Sequence, residues 1–246
     1  MAEEEQNNKK RSGGIQYTEE FAALLASNVA KKPKKAKECV SIGIIGPSSK
    51  RNTDFEANST RILSASLFDA MVAYTIDWIE TSFLQKPETP LDWSQIRLVS
   101  GGASWCDHVA VRIYIKKHCV GAKLTLFLPC PMTKSGYFDS GKTCGAITNP
   151  GRICNKQHAD FTKVIVKSSL ADVLEAIKLG ATVDTDHSGF FACGKALAHA
   201  CDDLLAFGWS DKGKPDTPGT TRTWNAAPSH VKRHYCSLDT LVTLTE

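Results

Sequence analysis

Apolar positions along the chain fall into short β-branched runs that alternate with longer stretches of helical period. The first run, Val40, Ile42, Ile44 and Ile45, spans residues 39–45, ends at Gly46-Pro47-Ser48-Ser49 and reads as a strand. From Asn58 to Gln85, apolar residues recur at 62, 63, 67, 71, 72, 76, 79 and 83, the spacing of one helix face, and Pro87 and Pro90 close the pattern. The alternation continues with a strand over 96–99, a helix over Trp105–Lys117, a strand over 123–128 and a helix over Leu170–Leu179 that ends at Gly180. A helix over Ala192–Ala200, a strand over 204–207 and a weak final strand over Tyr235–Leu241 complete it. Strands that alternate with helices predict an α/β fold, a doubly wound, mainly parallel sheet with helices on both faces and the carboxyl ends of its strands turned toward one cleft.

Two stretches break this rhythm. Residues 1–38 are charged and polar except for Phe21, Leu24, Leu25 and Val29, so they predict a disordered or partly helical tail before a domain over 39–246. Residues 129–163 are rich in Pro, Gly, Ser, Lys and Cys, and read as a long insertion over one edge of the sheet.

The turns after the strands carry the candidate chemistry. Ser100-Gly101-Gly102-Ala103-Ser104 follows a buried strand and precedes a helix, an arrangement in which backbone N–H groups approach a phosphate and the helix dipole favours its charge. A side chain at Gly102 is expected to block that approach while leaving the protein folded. Near the other end, the strand over 204–207 leads through Gly208-Trp209-Ser210 to Pro218-Gly219-Thr220-Thr221-Arg222-Thr223-Trp224, a second Gly and hydroxyl-rich turn that opens a helix. Gly46 and Ser48 occupy the turn after the first strand, with Lys50 and Arg51 beside them as phosphate-clamp candidates, and Arg222 is another. Asp107 is placed to cap backbone N–H groups or to reach a ribose hydroxyl.

The order and spacing of three blocks, Ser100–Ala110, Gly189-Phe190 and Leu204–Trp224, resemble the YspA-like branch of the SLOG superfamily, which also contains DprA and the LOG phosphoribohydrolases. The resemblance covers roughly residues 39–240 and implies a Rossmann-like sheet whose turns hold a nucleotide-derived ligand. With Gly46, Ser48 and Arg51 of the turn after the first strand, the expected ligand contacts are Ser100, Gly101, Gly102, Ala103, Ser104, Asp107, Gly189, Lys195, Pro218, Gly219, Thr220 and Thr221. Two departures bear on activity. LOG enzymes carry a PGGxGTxxE motif whose glutamate takes part in N-glycosidic cleavage, whereas Pro218–Trp224 contains no carboxylate. Relatives in this branch tend to have His-Ala-Arg-Asn after the Gly-Phe pair, where this chain has Phe191-Ala192-Cys193-Gly194 and keeps only Lys195 as a nearby cation. The resemblance therefore implies a binding module, sensor or carrier, for a nucleotide-type small molecule. A nucleotide N-glycosidic hydrolase with Asp107 as its catalytic group, or a DprA-like nucleic-acid-binding protein, is the alternative.

Composition narrows the setting. A net charge of +4 is modest, but Lys31-Lys32-Pro33-Lys34-Lys35-Ala36-Lys37 concentrates it in a run that suits nuclear import or a weak nucleic-acid contact. Nine cysteines without repeated spacing and an acidic, polar start, Met1–Gln6, point to free thiols in an intracellular protein, cytoplasmic or nuclear. No window has the roughly 18 consecutive apolar residues of a membrane span. Cys144, Cys154 and His158 lack the close cysteine pairs of a zinc site, so neither metal nor cofactor is expected. The sequence admits a monomer or a homo-oligomer.

Overall fold

The computed structural model describes residues 39–48, 61–139 and 149–243. Six strands, β1 (Val40–Ile45), β2 (Ile96–Ser100), β3 (Lys123–Phe127), β4 (Thr182–Asp184), β5 (Asp203–Gly208) and β6 (Lys232–Ser237), form one sheet in the order β4-β3-β2-β1-β5-β6. Every neighbouring pair is parallel, and Ile42 of β1 stands in register with Leu98 on one side and Asp203 on the other.

Central strands of such a sheet are buried on both faces, which is why they read as apolar runs rather than as alternation. Ile42, Ile44, Leu98, Leu126, Leu205 and Phe207 enter one apolar layer, and Ile45, Val99, Phe127, Leu204 and Ala206 enter the other. Against the first layer pack α1 (Ala65–Ile79), α2 (Cys106–Lys117), α3 (Pro150–Ile165), α4 (Ser169–Lys178) and α7 (Leu238–Thr243). Against the second pack α5 (Phe190–His199) and α6 (Pro218–Ala226). The chain winds outward from β1 to β4 with helices on one face, then returns to the other side of β1 and continues through β5 and β6 with helices on the opposite face. This is the Rossmann-like doubly wound plan, and the strand order reverses between β1 and β5.

Four elements differ from expectation. The final strand lies earlier, at Lys232–Ser237, and the apolar residues after it form α7, because Leu238 and Leu241, three apart, are both buried on one helical face. From Pro150 onward the expected insertion over 129–163 is α3, whose Cys154 and Phe161 enter the core. Strand β4 escapes sequence patterning because it has only three residues and none of them is buried. The long helix expected to reach Gln85 ends in a widened turn over Glu80–Leu84. The tail over 1–38, with the short helix expected over Phe21–Ala30 and the basic run at 31–37, lies outside the described residues. No helix among the described residues is long and apolar enough to cross a membrane.

Candidate functional site

A cavity of about 380 Å³ opens beyond the carboxyl ends of β1, β2 and β3, the side on which open α/β sheets bind ligands. Its wall is built from the end of β1 (Ile45, Gly46, Pro47, Ser48), the loop after β2 (Gly101, Ala103), Asp107 of α2 and Pro129 after β3. Gln157 of α3 and the first turns of α5 and α6 close it. The two glycine turns that are far apart in sequence thus face one space.

Three helices point their amino ends at this cavity, and they are set apart from α1, α3 and α4 by how those ends are finished. Ser64 accepts a hydrogen bond from the Leu67 N–H at 3.1 Å to cap α1, Asn149 caps α3 through Arg152 N at 2.8 Å, and Ser168 caps α4 through Ala171 N at 3.2 Å. The cap residues of α2, α5 and α6, namely Trp105, Gly189 and Thr217, make no such bond. The Thr217 hydroxyl donates instead to Thr220 Oγ1 at 2.8 Å. Uncapped first turns leave backbone N–H groups without an intrahelical partner, and the helix dipole adds partial positive charge there.

In the loop that leads into α2, the N–H groups that would face an anion are already taken. The Asp107 carboxyl accepts backbone hydrogen bonds from Ala103 and Gly101, and burial still outweighs them, so its pKa is pushed up to about 7. It fits only because residue 101 is glycine, since a Cβ there would lie 2.6 Å from Asp107 Oδ2. The phosphate cradle expected at Gly101–Ser104 is therefore filled by the chain's own acid. The first turns of α5 and α6 carry no such side-chain acceptor, and a carboxyl group marks the other side of the cavity.

The rest of the loop after β2 is scaffold. Ser100 Oγ accepts from Gly102 N at 3.0 Å and donates to the Asp107 carbonyl at 2.8 Å, closing the loop from within. Ser104, fully buried, donates to the Ser48 carbonyl at 2.7 Å and ties the β1 and β2 loops together. Gly102 has φ +66°, is buried, and presents its carbonyl to His158 Nε2 at 3.0 Å. Burial pushes the His158 pKa down to about 3, so the ring is neutral, its Nε2–H donates to Gly102, and Nδ1 accepts from the Ser169 hydroxyl at 2.9 Å. Trp105 takes φ +60° with its ring buried 4.5 Å from that of Phe161. Neither Ser100, Gly102 nor Ser104 lines the cavity.

Of the remaining sequence candidates, Gly46, Ser48, Pro218, Gly219 and Thr220 line the cavity. Gly189 sits at the turn into α5, where its N–H donates to the Pro129 carbonyl at 3.0 Å. Thr221 is turned away, its hydroxyl bonded to the Pro215 carbonyl at 3.1 Å. Lys195 and Arg222 border a smaller hollow beside the main cavity. Lys50 and Arg51 lie outside the described residues. His108 is fully buried behind the site with Nε2 3.2 Å from Asp172, which also meets Arg112 at 2.9 Å and Lys167 at 2.7 Å, so it is not a general base for the cavity. Cys154 is buried in the core, Cys144 lies outside the described residues, and the described residues hold no metal-ligating cluster.

Sequence reasoning missed Gln157, whose amide donates to Ser48 Oγ at 3.2 Å on the cavity wall, and Phe190, Cys193 and Thr217. The Asn149-Pro150 pair, a cap residue followed by proline at the first helical position, is the signal that would have placed Gln157 on a helix.

No protein-family model matches the chain. Among solved structures, the X-ray structure of TM1055, a structural genomics target, is similar over 83% of this chain and 97% of its own, with 9% identity and a TM-score of 0.39. An uncharacterized protein of Acanthamoeba polyphaga mimivirus, R261, is 32% identical over 186 residues, spanning 76% of this chain and 90% of the viral protein. By that extent of identity, the chain belongs to the same family as the mimivirus protein.

Proposed function

We propose that the cavity binds a nucleotide-derived ligand, with a phosphate at the first turns of α5 and α6 and the ribose toward Asp107. The observation that carries this reading is the pattern of caps: among α1 to α6, those without a side-chain cap are the ones whose amino ends meet the cavity. An anion accepts the orphaned N–H bonds of α5 and α6, while the acid at α2 repels a phosphate and suits a sugar hydroxyl.

Gly219 provides the test. A Cβ there meets nothing within 4 Å and the residue has no left-handed φ, so a side chain is tolerated by the fold and projects into the site. Titration of nucleoside monophosphates by calorimetry is expected to show binding. Saturation at a hundred times Kd should stabilise the protein by about 2.7 kcal/mol. Gly219→Glu, which places a carboxylate in the first turn of α6, is expected to weaken binding about a hundredfold with the melting temperature unchanged. Wild-type affinity in that variant would remove α6 from the site.

A second reading, the N-glycosidic hydrolase, is favoured by one feature: a carboxyl on the cavity wall with a pKa near 7 is half protonated at neutral pH, as a group that protonates a departing base must be. The binding reading expects no free base above background when the protein is incubated with nucleoside monophosphates. Base release that vanishes in Asp107→Asn would establish the hydrolase instead.

A further inference from the structure

Beside the main cavity, α5 and α6 enclose a second hollow of about 80 Å³, bordered by Phe190, Phe191, Lys195, Gly219, Arg222 and Thr223. Phe190, Gly219 and Thr223 line both spaces, so the two adjoin across the first turn of α6. The helices come this close because residue 194 is glycine: a Cβ there would collide with the Thr223 side chain. Gly219 on the dividing wall has open space where a side chain would stand.

Chemistry in the hollow is one-sided. Its charged residues are Lys195 of α5 and Arg222 of α6, both exposed, and no carboxylate lines it. Among the described residues, neither cation is held in an ion pair with an acid. Two cations bordering one small space repel weakly through water, and an anion between them turns that repulsion into two attractions. A guanidinium adds a planar fork that matches two phosphate oxygens. The volume holds two or three waters, or one group of phosphate size.

We propose that the ligand carries a second anionic group adjoining the first, as in a nucleoside diphosphate or a pyrophosphate-bridged nucleotide, and that this group occupies the hollow between Lys195 and Arg222. The inference rests on the nucleotide reading of the main cavity and adds the class of nucleotide. One phosphate stays on the N–H groups of α5 and α6, and the next crosses at Gly219. A third substituent beyond it would emerge past Phe191, which is 63% exposed at the mouth of the hollow.

The experiment compares mono- and diphosphates of adenosine, guanosine, cytidine and uridine by calorimetry at 0.15 M salt, on wild type and on the double variant Lys195→Gln/Arg222→Gln. Both positions are exposed, so the variant is expected to fold, which its melting temperature checks. For the base that binds, the diphosphate is expected to bind at least tenfold more tightly than the monophosphate to wild type. In the double variant that advantage should fall to within twofold, with diphosphate affinity falling much further than monophosphate affinity. Removing two cations at the far end of the sheet, Lys123→Gln/Lys232→Gln, should preserve the full ratio. Equal affinity for the two classes in wild type, equal loss of both in the double variant, or the same loss in the remote variant overturns the second subsite and leaves the first standing. If no nucleotide of either class binds, the reading of the main cavity falls and takes this one with it.

Discussion

Gly102→Val is expected to unfold the domain rather than leave it folded with an empty cavity. The residue has φ +66°, a region that a β-branched side chain enters only with strain, on the order of 1–3 kcal/mol. A Cβ at this position would also run into the Leu128 side chain, which is fully buried and has no space to retreat into. Overpacking of that kind costs about 1–3 kcal/mol more. Shifting the backbone to relieve either problem pulls the Gly102 carbonyl away from buried His158, whose Nε2–H would then lack its partner. The combined loss, roughly 2–6 kcal/mol, is a large part of the stability of an ordinary domain. Denaturant titration followed by circular dichroism should show a midpoint far below wild type, or no folded baseline at all. A wild-type midpoint would mean that the loop after β2 is far more plastic than its hydrogen bonds indicate. The sequence-based expectation of a folded variant overlooks that Gly102 faces the core, whereas Gly219 lines the cavity.

Asp107→Asn should stabilise the protein above neutral pH and change little below about pH 4. The folded-state pKa, about 7, lies above the carboxyl's ordinary 3.8, so between those values the native state holds a proton that the unfolded chain has released. The contribution of this group is therefore fully present below about pH 4 and is lost as pH rises through 7, to the extent of about 2–4 kcal/mol. Asparagine keeps a carbonyl acceptor for the loop N–H groups and carries no charge at any pH. Melting temperatures measured from pH 4 to pH 8.5 should show the variant gaining on wild type as pH rises, by about 5–10 °C at the upper end. Taking the difference between the two proteins removes the opposing effect of His158 and His108. Burial lowers both of their pKa values, so they favour the folded state as pH rises toward 6.5. A flat difference across the range would mean that Asp107 is ionised at ordinary acidity and that solvent in the cavity screens it.

How much of this the sequence disclosed depended on whether the decisive positions were apolar. The strands at 40–45, 96–100, 123–127 and 203–208 announce themselves because both faces are covered, which demands runs such as Val-Ser-Ile-Gly-Ile-Ile and Leu-Leu-Ala-Phe. Helix α3 did not, because its buried side is made of Pro150, Gly151, Cys154, His158 and Phe161, so only the last contributes a strong hydrophobic signal. Hydropathy does not register a helix that packs through glycine, a thiol and a neutral imidazole. The site divided in the same way. The glycine turns were visible as composition and do meet at one cavity, but which of their N–H groups is free depends on the placement of the Asp107 carboxyl, a contact within a turn that residue type alone does not encode. The assignments at Arg51 and in the basic run fall outside the described residues.

The turn at Trp105 shows where the shape of the glycine loop comes from. A tryptophan at φ +60° is held there by full burial and by its ring packing on Phe161 of α3, while Gly102, three residues earlier, is gripped by His158 of the same helix. The loop thus takes its form from a neighbour more than forty residues away in sequence. Such a segment does not travel as a cassette: grafted onto another parallel sheet it would arrive without α3 and relax to whatever its glycines prefer, and a peptide spanning residues 96–117 would keep the letters of the motif but not its form. For this family the transferable unit is the loop together with the helix behind it, and descent with a preserved site would have to carry changes at 102 and 105 in step with changes at 158 and 161.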